Sequence, residues 1–368
     1  MLGFLRITAV QLGWMMGLFS CLSLLGMAAG QSPAHRSSGA PLRVVLFING
    51  TLGDKSFFDS AARGMKEAHE TLGIETRIVE GGADPTRWQG ALIDLVDSGD
   101  YDLIVAGTYT MVPYVQTLAH DYPDARFVMF DAIIDNAACM CRNVHSIVFR
   151  QNEGAYLAGA LAGDLVRAGL PGLPPHSSLA VVGGMQFPTV EDFIVGFVAG
   201  AKSVAPDTQI ATQYANSFSD PATGKEIATA QFGHGAGIVF HVAGATGQGV
   251  NEAALESRRY AIGVDMDQVA LYRQSNPQVA SRIVTSVLKN VDVAVLTALR
   301  QARAGNLAFG QVETLGVAEG GVSLAMNSDV LASAPPAVLL DLQRARDAVV
   351  SGRVHVPSAF TAAGGTRP

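Results

Sequence analysis

Short, unbroken apolar runs alternate along this chain with longer amphipathic stretches, and that rhythm limits the folds open to it. Residues 43–48 read RVVLFI, a continuous run rich in β-branched side chains; a strand with one wet face would alternate apolar and polar residues instead. Such a run belongs in a parallel sheet covered on both faces. The next segment supplies a cover, because residues 59–72 place Ala61, Met65, Ala68 and Leu72 at helical spacing and stop at Gly73. The succession repeats as strand 75–79, helix 85–97, strand 103–106, helix 111–122 and strand 126–130. This alternation predicts a doubly wound α/β sheet, whose ligands bind beyond the carboxyl ends of the strands.

A second series starts near Glu153, with helix 156–167, strand 179–182, helix 190–204, strand 208–214, helix 223–231, strand 237–241, helix 249–256 and strand 259–262. Two α/β lobes in series are expected, and 368 residues suit two domains of roughly 100–200 residues each. The link 170–175 reads as a surface loop within the second lobe. A long amphipathic helix is expected over 279–304, with Ile283, Val287, Val291 and Leu296 on its apolar side. The rest of the chain is too short for a third lobe, so it is expected to return to the first and recross to the second. The expected lobes are 42–148 with 263–312, and 149–262 with 313–360.

The first thirty residues carry one charge, Arg6, and then an uncharged stretch that ends in Ala28, Ala29 and Gly30. Residues 1–30 read as an export signal. A membrane anchor is the competing reading, since the stretch exceeds the ~18 residues that can span a bilayer, but Gln11 and the terminal small residues favour cleavage. Leu18-Phe19-Ser20-Cys21 loosely resembles a lipoprotein cleavage box, which would make Cys21 a lipid anchor; Phe19 is too large for that pattern, so a cysteine inside a discarded signal is preferred. Residues 31–41 form a polar linker. The product is expected outside the cytoplasmic membrane.

Composition removes several function classes. With 49% hydrophobic and 15% charged residues the chain can bury a large core, and a net charge of −7 without a basic run argues against nucleic-acid binding through a basic face. Three cysteines make no disulfide framework. Cys139-Met140-Cys141 is neither a C-x-x-C redox pair nor a zinc half-site, and reads as loop thiols or a dispensable disulfide. No phosphate cradle, dinucleotide fingerprint or G-x-S-x-G elbow occurs, and no metal or cofactor is expected.

The turn after the first strand, Asn49-Gly50-Thr51-Leu52-Gly53-Asp54-Lys55-Ser56-Phe57, can place a site at a strand end. Asp54 and Ser56 there are helix-cap candidates, and Phe57 is a core or contact aromatic. Asp131, Asp265 and Asp267 fall at the ends of apolar runs, where a carboxylate must face a polar cleft or be hydrogen-bonded. Residues 244–249, GATGQG, offer backbone N–H groups at a helix start. His241 lies on a buried strand and reads as a satisfied core histidine.

Taken together, Gly53-Asp54-Lys55-Ser56-Phe57, Gln151-Asn152-Glu153-Gly154-Ala155-Tyr156-Leu157-Ala158-Gly159, Gly196-Phe197-x-x-Gly200, Ala243-Gly244-x-x-Gly247, Gly263-Val264-Asp265-x-Asp267-Gln268, Thr285-Ser286-x-x-Lys289 and Gly320-Gly321-Val322 resemble, in order, the basic membrane protein family. Its members are substrate-binding proteins of bacterial ABC importers, purine nucleoside receptors among them. The resemblance spans about residues 42–330 and implies a type I periplasmic-binding-protein fold, two lobes joined by three crossings. It also implies a noncatalytic, monomeric receptor that delivers a nucleoside to a membrane permease. Phe57 and Phe218 match the aromatics that sandwich the base, and Asp265, Lys289 and Gly244 match the groups that hold the ribose. Asn49, Asp54 and Asp131 are added as ligand-binding candidates at the same strand ends. Purine receptors carry an aspartate where this chain has Asn49; an amide has both a donor and an acceptor, a change that bears on which base is preferred. The alternatives are a sensory module for another small solute, and a nucleoside-processing enzyme, for which the sequence supplies neither an acid cluster nor an activated nucleophile.

Overall fold

The computed structural model describes residues 40–173 and 177–362. The export signal over 1–30 with Cys21, the linker through 39, and part of the 170–175 link lie outside the described residues. The first half of the chain runs β1 (Arg43–Ile48), α1 (Phe57–Leu72), β2 (Glu75–Glu80), α2 (Trp88–Asp97), β3 (Leu103–Gly107), α3 (Val112–Asp121), β4 (Phe127–Phe130) and β5 (Val144–Phe149). The second lobe comprises α4 (Gln151–Ala168), β6 (Ser178–Gly183), α5 (Pro188–Val204), β7 (Ile210–Tyr214), α6 (Pro221–Gly233), β8 (Ala236–Val242), α7 (Thr246–Glu256), β9 (Tyr260–Asp265), α8 (Gln268–Arg273), α9 (Pro277–Ala280) and β10 (Ile283–Lys289). α10 (Val291–Arg303), β11 (Val312–Leu315), β12 (Val322–Leu324), α11 (Asp329–Ala332), α12 (Pro336–Val350) and α13 (Ala359–Ala362) close the chain.

The strands form two sheets, ordered β2-β1-β3-β4-β5-β11 and β7-β6-β8-β9-β10-β12, parallel throughout except for the antiparallel β10–β12 pair. RVVLFI behaves as its composition demands. Val44, Leu46 and Ile48 join a cluster with Ala61, Met65 and Ala68 of α1, while Val45 and Phe47 join Trp88, Leu92, Met111 and Val115 on the opposite face. Each of the Val, Leu, Ile, Phe and Met side chains, once fully buried, contributes about 1.5–3 kcal/mol.

The structure departs from expectation in two places. The helix expected over 279–304 is three elements: α9, β10 and α10. Ile283, Val284 and Val287 are fully buried within a strand paired on both sides, and the four-residue interval between Ile283 and Val287 fits a strand face, whose period is two, as well as a helix face. The lobe boundary moves with it. Residues 263–289 belong to the second sheet rather than the first lobe, and the chain returns only at α10, which packs on α1. Its residues 312–315 then pair with β5 in the first sheet before β12 joins the second. The lobes are therefore linked by three crossings, at the β5–α4, β10–α10 and β11–β12 junctions. β5 itself is absent from the expected elements because no helix separates it from β4.

The central pair of the second lobe is α4 against α5, packed at backbone distance. A Cβ on Gly200 would lie 1.9 Å from the Tyr156 carbonyl oxygen, and one on Gly159 2.0 Å from that of Phe197. The spacing Gly196-Phe197-x-x-Gly200 thus records a close helix crossing.

Candidate functional site

The strand order of each sheet reverses between β1 and β3 and between β6 and β8, and the carboxyl ends beside such a switch are where open α/β sheets bind ligands. Asn49, Thr108 and Asp131 stand at these ends in the first lobe; Gly244, Asp265 and Lys289 stand there in the second. Thr108, Asp131 and Asp265 hold left-handed backbones, φ of 80°, 62° and 63°. An L-residue loses about 1–2 kcal/mol in that region, and strained positions of this kind gather at working sites.

Charge is concentrated at the facing ends. Lys289 is 2% exposed, and its ammonium donates to the Asp131 carboxylate across the lobes. Three rings surround the ammonium: Phe57 at 5.4 Å, Phe149 at 5.2 Å and Phe193 at 5.5 Å from nitrogen to ring centre. Burial pushes the Asp131 carboxyl up, opposed by Lys289. Asp265 accepts a hydrogen bond from the Ser56 hydroxyl of the other lobe. Burial raises Asp265 to about 6; Lys289 and the Ser56 hydroxyl oppose the shift, and the charges of Asp54 and Asp131 reinforce it.

The 53–57 turn is held from both sides. Asp54 accepts backbone N–H groups from Ser56, Phe58 and Asp59, so its carboxylate orders the start of α1. Gln268 Nε2 donates to the Lys55 carbonyl at 2.8 Å, Gln248 Nε2 reaches the Asp54 carbonyl at 3.4 Å, and the Lys55 ammonium lies 5.1 Å from the centre of the Tyr272 ring. Phe57 leaves this turn half-buried, its ring 5.4 Å from that of Phe130. Phe218, 37% exposed, covers Gly184, where a Cβ would lie 2.4 Å from the ring, and neighbours Gly244.

The structure thus brings Phe57, Asp131, Asp265 and Lys289 into one cluster, with Asn49 and Gly244 at neighbouring strand ends and Phe218 against Gly244. It gives Asp54 to the turn, and Asp267 to the cap of α8 through Ala270 N–H. Ser56 is legible in the sequence only as a cap candidate, yet its side chain makes no cap hydrogen bond and turns to Asp265. Gln248, Tyr272, Phe149 and Phe193 carry no local signal, because each matters only through a partner distant in sequence. His241 is buried beneath Gly247, whose Cβ would meet its ring at 2.1 Å; burial lowers its imidazole to about 4, with Asn251 pulling the other way. Asn251 is the partner that the expectation of a satisfied histidine calls for, although neither ring nitrogen reaches it in full hydrogen-bond geometry. Cys139 and Cys141 are disulfide-bonded in a loop of the first lobe. Among the described residues no acid, histidine or cysteine cluster is suited to a metal ion, and no helix is long and apolar enough to cross a membrane.

Two hinged α/β lobes with aromatic and charged groups at facing strand ends define a solute-binding protein of the type I periplasmic fold. Residues 42–357 match the family model described as Bmp, ABC transporter substrate-binding protein PnrA-like. The chain is 30% identical over 331 residues to the ABC transporter nucleoside-binding protein BmpA of Lactococcus lactis subsp. cremoris, covering 86% of this chain and 88% of that one. It is likewise 30% identical over 323 residues to Basic membrane protein A of Borreliella burgdorferi, again with 86% and 88% covered. Among solved structures, an ABC transporter solute-binding protein from Aeropyrum pernix K1 matches with a TM-score of 0.77 and 26% identity, over 86% of this chain and 94% of that one. The chain belongs to the Bmp family of ABC transporter substrate-binding proteins. It is a binding protein, not an enzyme, and its class implies a small-molecule ligand and a membrane permease as partners.

Proposed function

We propose that the protein captures a nucleoside, with purines preferred, between its two lobes outside the cytoplasmic membrane and presents it to the permease. One observation carries the reading: Lys289, Asp131 and Asp265 meet beside the Phe57 ring, drawing on both lobes. A flat base requires an aromatic face, worth about 1–3 kcal/mol per stacked base, and ribose hydroxyls require carboxylate acceptors held by a cation. Phe57 from the first lobe and Phe218 from the second supply the faces; Asp265 accepts from the ribose, with Lys289 and the Gly244 backbone completing the sugar contacts. Asp131 acts through Lys289, fixing its ammonium. The relative named as a nucleoside-binding protein supports the same reading. Residues 1–30 direct export and are removed, and the receptor works as a monomer.

A ligand that touches both lobes binds the closed arrangement preferentially and shifts the hinge equilibrium toward it. Mass spectrometry of small molecules released from the purified protein tests the assignment. A nucleoside at near-equimolar amount is expected; a sugar or amino acid in that amount would overturn it.

A further inference from the structure

The 53–57 turn divides its backbone polar groups by lobe. Its N–H groups are taken from within the first lobe: Asp59 accepts those of Gly53 and Lys55 at 2.8 and 2.9 Å, and Asp54 accepts that of Ser56 at 3.0 Å. The carbonyls of Asp54 and Lys55 go to the second. Lys55 holds a left-handed backbone, φ of 51°, and its carbonyl meets Gln268 Nε2 at 2.8 Å, while that of Asp54 meets Gln248 Nε2 at 3.4 Å. An acceptor edge on one lobe thus faces amide donors on the other.

Gln268 is built into its own lobe. It is 3% exposed, and its backbone N–H donates to Ser286 Oγ at 3.1 Å. The side chain passes over Gly263, where a Cβ would lie 2.4 Å from Gln268 Cγ, and this crossing accounts for a glycine inside the fully buried strand β9. The amide nitrogen has two acceptors, the Lys55 carbonyl at 2.8 Å and the Val264 carbonyl of β9 at 3.4 Å. Carbonyls only accept, so nitrogen and not oxygen points toward them. One acceptor belongs to each lobe. When the lobes part, the amide keeps Val264 and no buried donor is left unpaired; when they meet, the shorter bond forms across the gap.

The turn that Gln268 grips carries Phe57 two residues on, and the Phe57 ring lies 5.4 Å from the Lys289 ammonium. We propose that Gln268 is a positioning residue that latches the closed arrangement: by holding the Lys55 carbonyl it keeps Phe57 against the second lobe and slows escape of the bound solute. Its contact is with the chain itself, so it governs how long a solute stays rather than which solute is chosen. The inference rests on the nucleoside reading above for its probe, inosine, and for nothing else.

Stopped-flow measurement of inosine association and release by the full chain tests it, in the parent protein, Gln268→Met and Gln268→Asn, with circular dichroism melts to confirm folding. Methionine keeps the length of the side chain and removes the donor; asparagine keeps the amide but is one methylene too short to reach Lys55. Release should quicken about three- to tenfold in each variant, the scale of one neutral hydrogen bond. Association should stay within about twofold of the parent, because encounter precedes closure. Unchanged release in both folded variants would overturn the inference, and so would slower association at unchanged release, which would make Gln268 part of the open site instead of a latch. If inosine does not bind, the nucleoside reading fails by itself; the small molecule released from the purified protein then replaces inosine in the same measurement, and the latch stands or falls on its release rates.

Discussion

Asp265 and Lys289 show how single side chains set the behaviour of the site. Asp265 rises to about 6 on burial, so the folded protein holds that proton more tightly than the unfolded chain does. The contribution of this group to stability is accordingly full below its unfolded value of 3.8 and is lost as pH rises toward and through about 6. Thermal melts of the unliganded protein between pH 4 and 7 should show this fall, and Asp265→Asn should remove that part of the slope. In the proposed role of Asp265, ribose hydroxyls would donate to its ionised carboxylate, so nucleoside affinity should increase over the same interval and level off above it; an affinity that declines toward pH 7 would contradict that role. Lys289→Met leaves Asp131 and Asp265 buried without their cation, and a loss of about 3–5 kcal/mol is expected in denaturant unfolding. Adding Asp131→Asn to it should recover part of that loss. Ser56 marks the limit of reading at this scale, because nothing in Asp54-Lys55-Ser56-Phe57 separates a hydroxyl that caps a helix from one that reaches Asp265 in the other lobe.

At the scale of elements, composition and period identify most strands and helices, and fail where two periods coincide. The residues of β10 are spaced so that Ile283 and Val287 satisfy a helical interval and a strand face at once; what separates the readings is the succession Ile283, Val284, Thr285, with β-branched residues on both sides of a strand that is itself sandwiched. β5 escapes the sequence pattern for a related reason: it comes after β4 without a covering helix, so the alternation that marks strands gives no cue. The α4–α5 pair, by contrast, is visible as a glycine spacing whose cause needs the fold. Gly200→Ala should cost about 1–3 kcal/mol through overpacking, despite the helix propensity of alanine, because its methyl would fall on the Tyr156 carbonyl. Chemical denaturation checks this. A stabilised Gly200→Ala protein would mean that the helices separate without loss.

For the molecule as a whole, the two-lobe architecture is legible because each sheet repeats one local rhythm, whereas the lobe boundary is not, because a strand's sheet is chosen by long-range pairing. Placing β9 and β10 in the second sheet puts Asp265 and Lys289 on one lobe, facing Ser56, Phe57 and Asp131 on the other. The site is thus divided between bodies that a three-crossing hinge can bring together, the property that a transport receptor needs in order to take up and surrender a solute. The direct test is calorimetric titration of the full chain with a panel of purine and pyrimidine nucleosides, run beside Phe57→Ala and Asp265→Ala. One-to-one binding of a nucleoside is predicted, weakened at least about tenfold in each variant, with circular dichroism unchanged; undiminished affinity in both variants, or no binding of any nucleoside, would contradict the account.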